Sequence, residues 1–455
     1  MAVQSPYLEL SQESADRFCS FVLDGGYGDV PEAVLHRARL QLLDLIGVAA
    51  SSIQTPLSRI IRDHAVAMFG AGNRPARIMF DGRGASPAGA AMAGGMSIDA
   101  VDAHDGFAPT KGHIGVTVLP ALLAYHDVGL KGDGAEFLYN FILGYEVSGR
   151  AGIALHATVP DYHTSGAWNC LGAAAMGARL MGLDREKLRH AVGIAEYHGP
   201  RSQMMRCIDH PTMLKDGSGW GAMAGVSAAY LAADGFTGAP AVTVEQPEVA
   251  HLWADLAQDW QIEKQYVKPY PVCRWAQPSV EATLSVVRAH GIDSSEIEEI
   301  AVSTFYEATR LATRHPIDTE QAQYSLPYPV AAALVKGALT VTEITGAALS
   351  DPEIARIADC VRLIDHKPYD ERFPRERWAH VTVRLKDGRE LTSAPTRPRG
   401  EPDDPFDTKT MIEKFHAYAG PVVGDDRARR IEELTMNLGN GADVDALAEL
   451  VLSGT

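Results

Sequence analysis

Cysteine is scarce in this chain, and its distribution argues against several classes of protein. The 455 residues include five scattered cysteines with no C-x-x-C pair among them: Cys19, Cys170, Cys207, Cys273 and Cys360. Disulfide frameworks, zinc ribbons and iron–sulfur clusters need paired or clustered cysteines, so the sequence favours none of the three. An odd number of isolated thiols is typical of a reducing compartment, and we expect a cytoplasmic protein.

Long apolar segments and an excess of positive charge are also missing. The first ten residues lack the basic and apolar regions of a secretory signal, and apolar stretches such as 42–50 are too short to span a membrane. Acidic residues outnumber basic residues by 58 to 41, which gives a formal net charge of -17. Because nucleic acids and anionic membranes attract positive charge, we expect neither as a partner. An anionic substrate would need the few cations to be concentrated in one pocket.

Helical patterns dominate the chain up to about residue 260. Apolar residues follow Pro31 at steps of three and four, Ser86 and Pro87 open a segment of small residues, and Asp133 with Glu136 forms a capping-box pattern. Runs of glycine and alanine in later segments indicate closely packed helix axes. Further helices are predicted at 166–182, 184–197 and 217–234.

From about residue 266 the pattern alternates as in β-strands. Strands are predicted at 298–305, 380–385 and 390–393, the last two joined by the turn signal Lys386-Asp-Gly. Helices are predicted at 279–291, 327–336, 351–359, 408–417 and 425–438. We therefore predict a mainly α fold, with a large all-helical bundle domain at 1–265, a smaller α+β domain at 266–400 and C-terminal helices at 401–455 that rejoin the helical domain.

Ionisable residues are concentrated between Asp99 and His113. This stretch also contains Asp102, His104 and Asp105, and it lies between two predicted apolar helices. Burying such groups without partners is costly, so a loop held between core helices could present an acid–base pair to a cleft. A solvated loop in which His113 only caps the next helix is the alternative. Asp99, Asp102, His104 and His113 are also metal-ligating types, although their spacing matches no tight motif such as H-E-x-x-H.

Cations elsewhere in the chain could bind carboxylates. Lys215 precedes a predicted helix, whose free backbone N–H groups favour anions, and Lys268 lies at the domain junction. Arg206 and Arg274 could add bidentate contacts, although a solvated surface is the ordinary place for such side chains. Cys273 has basic neighbours but no convincing base, so a buried structural thiol is the better interpretation.

The ordered set of segments resembles the MmgE/PrpD family over essentially the whole chain. The segments that carry the resemblance are Leu43-Asp-Leu-Ile-Gly-Val-Ala-Ala, Gly115-Val-Thr-Val-Leu-Pro-Ala-Leu-Leu-Ala, Ala232-Ala-Asp-Gly-Phe-Thr-Gly, Lys268-Pro-Tyr-Pro-Val-Cys and Tyr324-Ser-Leu-Pro-Tyr. The resemblance implies a large helical domain, a smaller α+β lid domain, a homodimer and no organic cofactor. It also implies an active site in a basic cleft between the domains that takes a small-molecule carboxylate.

Site residues follow from the resemblance by position, with His104, Arg206 and Arg274 added from the residues themselves. The histidines would move protons next to a carboxylate, one acid would orient a histidine, and the lysines would bind substrate and stabilise its charge. The predicted catalytic residues are His113, His163, Asp99, Lys215 and Tyr328. The predicted substrate-binding residues are Lys268, Asp102, His104, Arg274 and Arg206, and no metal is expected.

The chain departs from the family pattern around the presumed pocket. Ala103 or His104 stands near the family's threonine, Thr212 stands where decarboxylase-like members carry a lysine, and Gln277 stands where a histidine is common. Lys215, in contrast, matches a lysine of dehydratase-type members. We therefore predict a cofactor-independent lyase, with dehydration of a hydroxy-polycarboxylate, as in 2-methylcitrate dehydratases, as the leading reaction.

Other reactions and other classes of function remain as alternatives. Within the family these are decarboxylation of cis-aconitate and epimerisation of iminodisuccinate, both of which move a proton beside a carboxylate. Outside it, Asp102, His104 and His113 could serve a metal-dependent hydrolase. A catalytically inactive relative that only binds a carboxylate is the third class.

Overall fold

The N-terminal part of the chain folds almost entirely into helices, as its pattern predicts. The computed structural model describes residues 9–455, so the prediction that residues 1–10 carry no secretory signal lies mostly outside the described residues. The helices of this part are α1 (Gln12–Asp24), α2 (Glu32–Ser52), α3 (Pro56–Met68), α4 (Pro87–Asp99), α5 (Gly115–Asp127), α6 (Gly134–Thr158), α7 (Gly166–Leu180), α8 (Arg185–His198), α9 (Met205–Asp209), α10 (Ser218–Ala233) and α11 (Val242–Glu245). The short strands are β1 (Ala76–Arg77), β2 (Gly84–Ala85), β3 (Gly106–Phe107) and β4 (Gln265–Tyr266).

Local capping residues set where several of these helices begin. Pro31 stands directly before α2, and the Ser86 hydroxyl accepts a hydrogen bond from the Gly89 amide at the start of α4. Asp133 caps α6, as predicted, by accepting from two backbone amides. The Glu136 carboxylate accepts from the Arg179 Nε atom at 2.7 Å, so this acid ties α6 to α7.

Small residues let three helices approach closely around the future site. A Cβ atom on Gly221 of α10 would lie 2.8 Å from the Cα atom of Gly166 in α7. A Cβ atom on Gly95 of α4 would lie 2.9 Å from the Cα atom of Gly219 in α10. Real Cβ atoms do not approach so closely, so only glycine permits this packing. The close contacts bring the C-terminal end of α4 beside the segment that precedes α10.

The second part of the chain combines a small sheet with helices. Its helices are α12 (Gln277–His290), α13 (Tyr306–Thr309), α14 (Thr319–Gln323), α15 (Pro327–Lys336), α16 (Pro352–Cys360) and α17 (Lys367–Asp370). Its strands are β5 (Ile297–Thr304), β6 (Val361–Asp365), β7 (Ala379–Leu385) and β8 (Glu390–Thr392). They form a sheet in the order β6-β5-β7-β8, in which β5 and β6 run parallel and the other pairs antiparallel. A parallel pair needs a crossover, which α13 to α16 supply.

The C-terminal helices pack onto the N-terminal helical core. They are α18 (Thr408–Val423), α19 (Asp425–Met436) and α20 (Val444–Leu452). Phe415 of α18 is fully buried in that core, where its ring contacts the backbone of α2 at Gly47. The fold is therefore mainly α, with a large helical bundle and a smaller α+β domain. Within residues 9–455, no helix combines the length and the apolar character that a membrane crossing requires.

Candidate active site

The segment from Asp99 to His113, here called the acidic loop, connects α4 to α5 and is almost completely buried. Strand β3 of this loop pairs with β4, so that Gly106 lies opposite Tyr266. A Cβ atom on Gly106 would lie 2.2 Å from the Cζ atom of the Tyr266 ring, so the ring occupies the space that a side chain would need. The pairing brings Lys268, two residues after β4, against the loop.

Lys268 and Asp102 form a buried ion pair. The Nζ atom of Lys268 bonds to the Oδ1 atom of Asp102, and their side chains are 1% and 2% exposed. Burial alone would raise the pKa of Asp102, but the ammonium groups of Lys268 and Lys215 outweigh it and hold the pKa below its usual range. Burial would likewise lower the pKa of Lys268, but Asp102 keeps it raised. Both groups are charged at neutral pH and neutralise each other.

His104 and His113 form an edge-to-face pair with ring centroids 4.5 Å apart. Their Nδ1 atoms lie 3.2 Å and 2.7 Å from the same acceptor, the backbone carbonyl oxygen of Asp105. The Nε2 atom of His104 lies 3.2 Å from the Oδ1 atom of Asp99. Both ring nitrogens of His104 therefore lie against oxygen atoms.

His113 is held as a neutral base. Donation from Nδ1 to the Asp105 carbonyl leaves the lone pair on Nε2, and within residues 9–455 no hydrogen-bond partner lies against that atom. Burial and the nearby Lys268 ammonium lower the pKa of His113 to about 3. The backbone of His113 is fixed as well, because its amide donates to the Ser165 hydroxyl at 2.8 Å. The Ser165 hydroxyl donates in turn to the carboxyl of Asp216.

Lys215 is the other buried cation, and its partner is neutral. It is 3% exposed, lies between α9 and α10, and has the left-handed backbone angle φ of +49°. Its Nζ atom donates to the amide oxygen of Gln323 and lies 4.9 Å from the centroid of the Tyr324 ring. Among the described residues, no carboxylate lies within 4.0 Å of this nitrogen. The neighbouring Asp216 does not supply one, since its carboxyl pairs with Ser165.

These residues make one buried charge cluster, here defined as Asp99, Asp102, His104, His113, Lys215 and Lys268. A cavity of about 300 Å³ reaches it from the surface, with Lys215, Arg206, His210 and Thr212 on its wall. Lys215 is the member of the cluster that the cavity reaches directly. Arg206 is exposed there, and within residues 9–455 its side chain makes one long hydrogen bond, of 3.3 Å, to the Ser202 hydroxyl. The cavity therefore offers an anion two cationic side chains in a concave site, whereas His113 belongs to the cluster but does not line the cavity.

His163 lies outside this cluster. Its backbone amide donates to the Nε2 atom of His156 at 3.1 Å, and it pairs with Gln203 in an isolated β-bridge. The side chain is half-buried, and burial with the nearby Arg201 lowers its pKa. The segment it belongs to flanks the cavity through Thr164, but its ring has no contact with the cluster in the described structure.

Two further predicted residues are occupied elsewhere. Tyr328 donates its hydroxyl to the backbone carbonyl of Glu343 at 2.8 Å, so the structure does not bring it to the cluster. Arg274 is 2% exposed and pairs with Glu401 at 2.8 Å and with the Gln277 side chain at 2.8 Å. Both terminal nitrogens of its guanidinium are engaged by these partners and only the buried Nε atom has none among the described residues, whereas a substrate-binding arginine needs open terminal donors.

Sequence reasoning missed several residues that complete the site. Gln323 and Tyr324 contact Lys215, and the backbone carbonyl of Asp105 holds both histidines. Tyr324 opens the same Tyr-Ser-Leu-Pro-Tyr segment that contains Tyr328. The family resemblance therefore identified this segment, but it did not identify Tyr324 as the tyrosine that contacts Lys215. Burial raises the pKa of Cys273 to about 12, which confirms a buried structural thiol.

The cluster also contains metal-ligating types. Asp99, Asp102 and His104 place three ligand atoms within 4.8 Å of one another. The ammonium group of Lys268 already bonds to Asp102, and the charge of Lys215 acts on the same carboxylates. Two ammonium groups would repel a divalent cation at this position. The donor set therefore fits acid–base chemistry better than the metal-dependent hydrolase alternative.

Comparison with known proteins shows which family the chain is similar to. Family models described as the MmgE/PrpD N-terminal and C-terminal domains match residues 16–257 and 270–440. The cis-aconitate decarboxylase-like protein oryM of Aspergillus oryzae is 24% identical over 95% of this chain and 96% of its own length. The cis-aconitate decarboxylase of Aspergillus terreus is 23% identical over 99% of this chain and 98% of its own length. That of Homo sapiens is 24% identical over 93% and 91%. Since the two models together cover most of the sequence, the chain belongs to the MmgE/PrpD family.

Proposed function

We propose that this protein is a cofactor-independent lyase that acts on a small di- or tricarboxylate, with decarboxylation of cis-aconitate as the leading reaction. The observation that carries the proposal is Lys215, a buried cation on the cavity wall whose polar partner is a neutral amide. The names of the curated relatives support the choice of reaction. Dehydration, placed first from the sequence, becomes the second candidate.

The charge arrangement supports a polycarboxylate. A buried ammonium group gains most from an anionic partner, because a charge-assisted hydrogen bond is strong where water is excluded. The buried Lys215 and the exposed Arg206 both line the cavity, so one substrate could place a carboxylate on each. Lys268 would contribute less to binding, because Asp102 already neutralises it.

His113 is the proposed proton carrier. Burial and Lys268 keep the pKa of His113 low, and a bound polyanion would raise this pKa by stabilising the imidazolium. In decarboxylation, the bond between carbon and a carboxylate breaks and carbon dioxide leaves. The electron pair moves through the adjacent double bond, and a proton from the imidazolium completes the new C–H bond. Lys215 would stabilise the charge that develops on a remaining carboxylate.

One observation favours dehydration as the second candidate. In the empty site His113 is a neutral base with an open Nε2 atom, which is the state that removes a proton beside a carboxylate. The hydroxyl on the neighbouring carbon would then leave as water after taking a proton. Thr212 lies on the cavity wall, at the position where decarboxylase-like members of the family carry a lysine. The missing lysine weighs against decarboxylation and therefore favours dehydration.

Proton NMR in deuterated buffer tests both candidates. Purified protein is incubated with cis-aconitate, 2-methylcitrate, citrate and iminodisuccinate, while carbon dioxide release is measured in parallel. Carbon dioxide with a deuterated alkene product supports decarboxylation, and a new alkene without carbon dioxide supports dehydration. Deuterium uptake without either product indicates epimerisation. Silence across the whole panel would contradict the proposal.

The matched controls are His113→Gln and His315→Gln. His315 is half exposed and pairs with Asp359 at the surface, so its replacement tests the substitution without touching the cluster. The proposal requires that turnover is lost only in the His113 variant and that circular dichroism shows both variants folded. Full activity in His113→Gln would remove this residue from the mechanism.

The largely apolar outer face of α10 supports a homodimer. Trp220 and Leu231 are 40% and 38% exposed, and the partly buried Met223, Ala224 and Ser227 lie at intervening positions of the same helix face. Contiguous exposed apolar surface of this kind marks an interaction site. Light scattering of the protein and of Leu231→Glu tests the assignment, since Leu231, unlike Trp220, does not line the cavity, and a monomeric wild-type protein would contradict it. The cytoplasmic location and the absence of nucleic-acid and membrane partners stay predictions.

A further inference from the structure

We infer that Gln323 is a positioning residue for Lys215. Its neutral amide holds the ammonium group of Lys215 before substrate binds, without cancelling its charge, and is then replaced by a substrate carboxylate. The inference rests on the proposed function, because it concerns how that site keeps a cation available. Gln323 is the last residue of α14 in the smaller domain, and it is fully buried. None of the sequence patterns pointed to it.

The side-chain amide of Gln323 makes three hydrogen bonds to the N-terminal part of the chain. Its oxygen accepts from Lys215 and from the backbone amide of Asp102, the latter at 3.1 Å. Its nitrogen donates to the backbone carbonyl of Ala100 at 2.9 Å. The donor and acceptor on the acidic loop therefore fix which end of the amide faces Lys215.

The backbone of Gln323 adds a fourth connection. Its carbonyl accepts from the amide of Cys273 at 2.9 Å, in the segment that carries Lys268. One residue thus ties together the acidic loop, the Lys215 segment and the Lys268 segment. These three segments come from distant parts of the sequence and supply all the cations of the cluster.

The neutrality of this partner is the important property. A carboxylate at position 323 would pair with Lys215 as Asp102 pairs with Lys268, and it could not donate to the Ala100 carbonyl. An amide oxygen satisfies a lysine donor but leaves the net charge in place. A substrate carboxylate can therefore replace it with a gain in electrostatic energy, which it could not do against another carboxylate.

Two replacements of similar length separate charge from shape. Gln323→Glu places a negative charge against Lys215, whereas Gln323→Met removes the hydrogen bonds and leaves the lysine charged. Binding is measured by calorimetry with propane-1,2,3-tricarboxylate, a saturated tricarboxylate that cannot be decarboxylated through a double bond. We expect Gln323→Glu to raise the dissociation constant by about tenfold or more, and Gln323→Met to raise it much less.

The kinetic prediction has the same sign. With the substrate that the panel identifies, Gln323→Glu should raise KM by about tenfold while kcat changes by less than about threefold, because the lysine is occupied before binding. A purely structural role predicts the opposite order, since Gln323→Met loses every side-chain hydrogen bond and should be the weaker binder. Equal dissociation constants for the two variants would overturn the inference.

Gln321→Glu is the matched control. This residue lies two positions earlier in α14, and its side-chain oxygen accepts from the Ile317 amide at 3.3 Å, away from the cluster. It adds the same charge to the same helix and should leave the dissociation constant within about twofold of wild type. An equal loss in this control would show that long-range charge, rather than contact with Lys215, explains the effect.

Hydrogen exchange separates this inference from the proposed function. The amide of Asp102 should exchange faster in Gln323→Met than in wild type, as should peptides that cover 212–217, and no ligand is needed to observe it. If exchange is faster in Gln323→Met but wild type does not bind the tricarboxylate, the proposed function is contradicted while the role of Gln323 in holding Lys215 is retained. Unchanged exchange, or wild-type binding that Gln323→Glu does not weaken, would overturn the role of Gln323.

Discussion

Lys268 and Lys215 are both almost completely buried, yet their surroundings differ in kind. Lys268 lies against the acidic loop and is neutralised by Asp102. Lys215 lies at the end of a cavity and has an amide and an aromatic ring as its neighbours. Asp99 and Asp102 act on the Lys215 charge only from beyond ion-pair distance, so this buried ammonium group is balanced less completely than that of Lys268. From this difference we infer that Lys268 has a structural role, whereas Lys215 is available to bind an anionic ligand.

The backbone supports the same distinction. Lys215 has a φ of +49°, a conformation that non-glycine residues adopt at a cost and that is concentrated at functional sites. Close packing of Gly219 in α10 against α4 fixes the segment that holds it. Lys268, in contrast, follows the regular β3–β4 pairing.

Replacing Lys215 should give the largest effect on function and little loss of stability. We expect Lys215→Met to lower kcat/KM by about 10³-fold, because one preorganised charge contact in a dry site contributes that much to catalysis. The free energy of unfolding should change little, because a buried ammonium group without a direct ion-pair partner disappears while Asp99 and Asp102 lose part of the charge that stabilises them. Steady-state kinetics and urea unfolding check the two parts. A large loss of stability together with near-normal kinetics would break the comparison.

The sequence singled out the acidic loop by its concentration of ionisable residues, and the two lysines by their positions before a helix and at the domain junction together with the family resemblance. It could not predict which of them were already paired. Arg274 looked available, but its carboxylate partner Glu401 lies 127 positions further along the chain. Tyr328 and Tyr324 lie four residues apart, and only the packing of the smaller domain decides which one faces Lys215.

The fold shows the same limit. Strands β5, β7 and β8 and most of the helices given bounds from the sequence agree with the structure within a few residues, because each has its own periodicity and turn signals, although α18 continues six residues beyond its predicted end at 417. Strand β6, helix α20 and the short helices α13, α14 and α17 were missed. Strand β6 follows α16 without a break, so the helical pattern conceals its start, and its pairing with β5 depends on residues some sixty positions away. The two-residue strands that position Lys268 are too short for any pattern.

Replacing Lys268 should mainly destabilise the fold. Lys268→Met leaves the Asp102 carboxylate buried and unpaired, so we expect the free energy of unfolding to fall by about 3–5 kcal/mol. Urea unfolding with far-UV circular dichroism measures the change. The double variant Lys268→Met/Asp102→Asn should recover part of the loss, because the orphaned charge is removed. If the single and double variants are equally unstable, the ion pair does not explain the role of Lys268.

Gly106 tests how the Lys268 segment is held. In Gly106→Ala the new methyl group collides with the Tyr266 ring, so β3 and β4 must separate, and we expect a loss of about 1–3 kcal/mol. Gly28→Ala is the control, since a Cβ atom there meets no atom within 4 Å. Thermal unfolding of both variants checks this. Equal melting temperatures would mean that the pairing adjusts without cost.

Replacing Asp216, the neighbour of Lys215 in the sequence, should give the smallest change in stability. Burial and the nearby Asp99 raise its pKa from 3.8 to about 7. Between these two values the folded chain holds a proton that the unfolded chain has released, so stability falls as pH rises through this window and stays lower above it. Asp216→Asn is neutral at every pH and can still accept from Ser165. Its melting temperature should therefore exceed that of wild type at pH 8, and the difference should shrink toward pH 4.

The control is Asp234→Asn at an exposed position, which should change the melting temperature by the same small amount at both pH values. A constant difference for Asp216→Asn as well would mean that Asp216 is ionised in the folded protein, which would add a third carboxylate near Lys215 to those of Asp99 and Asp102.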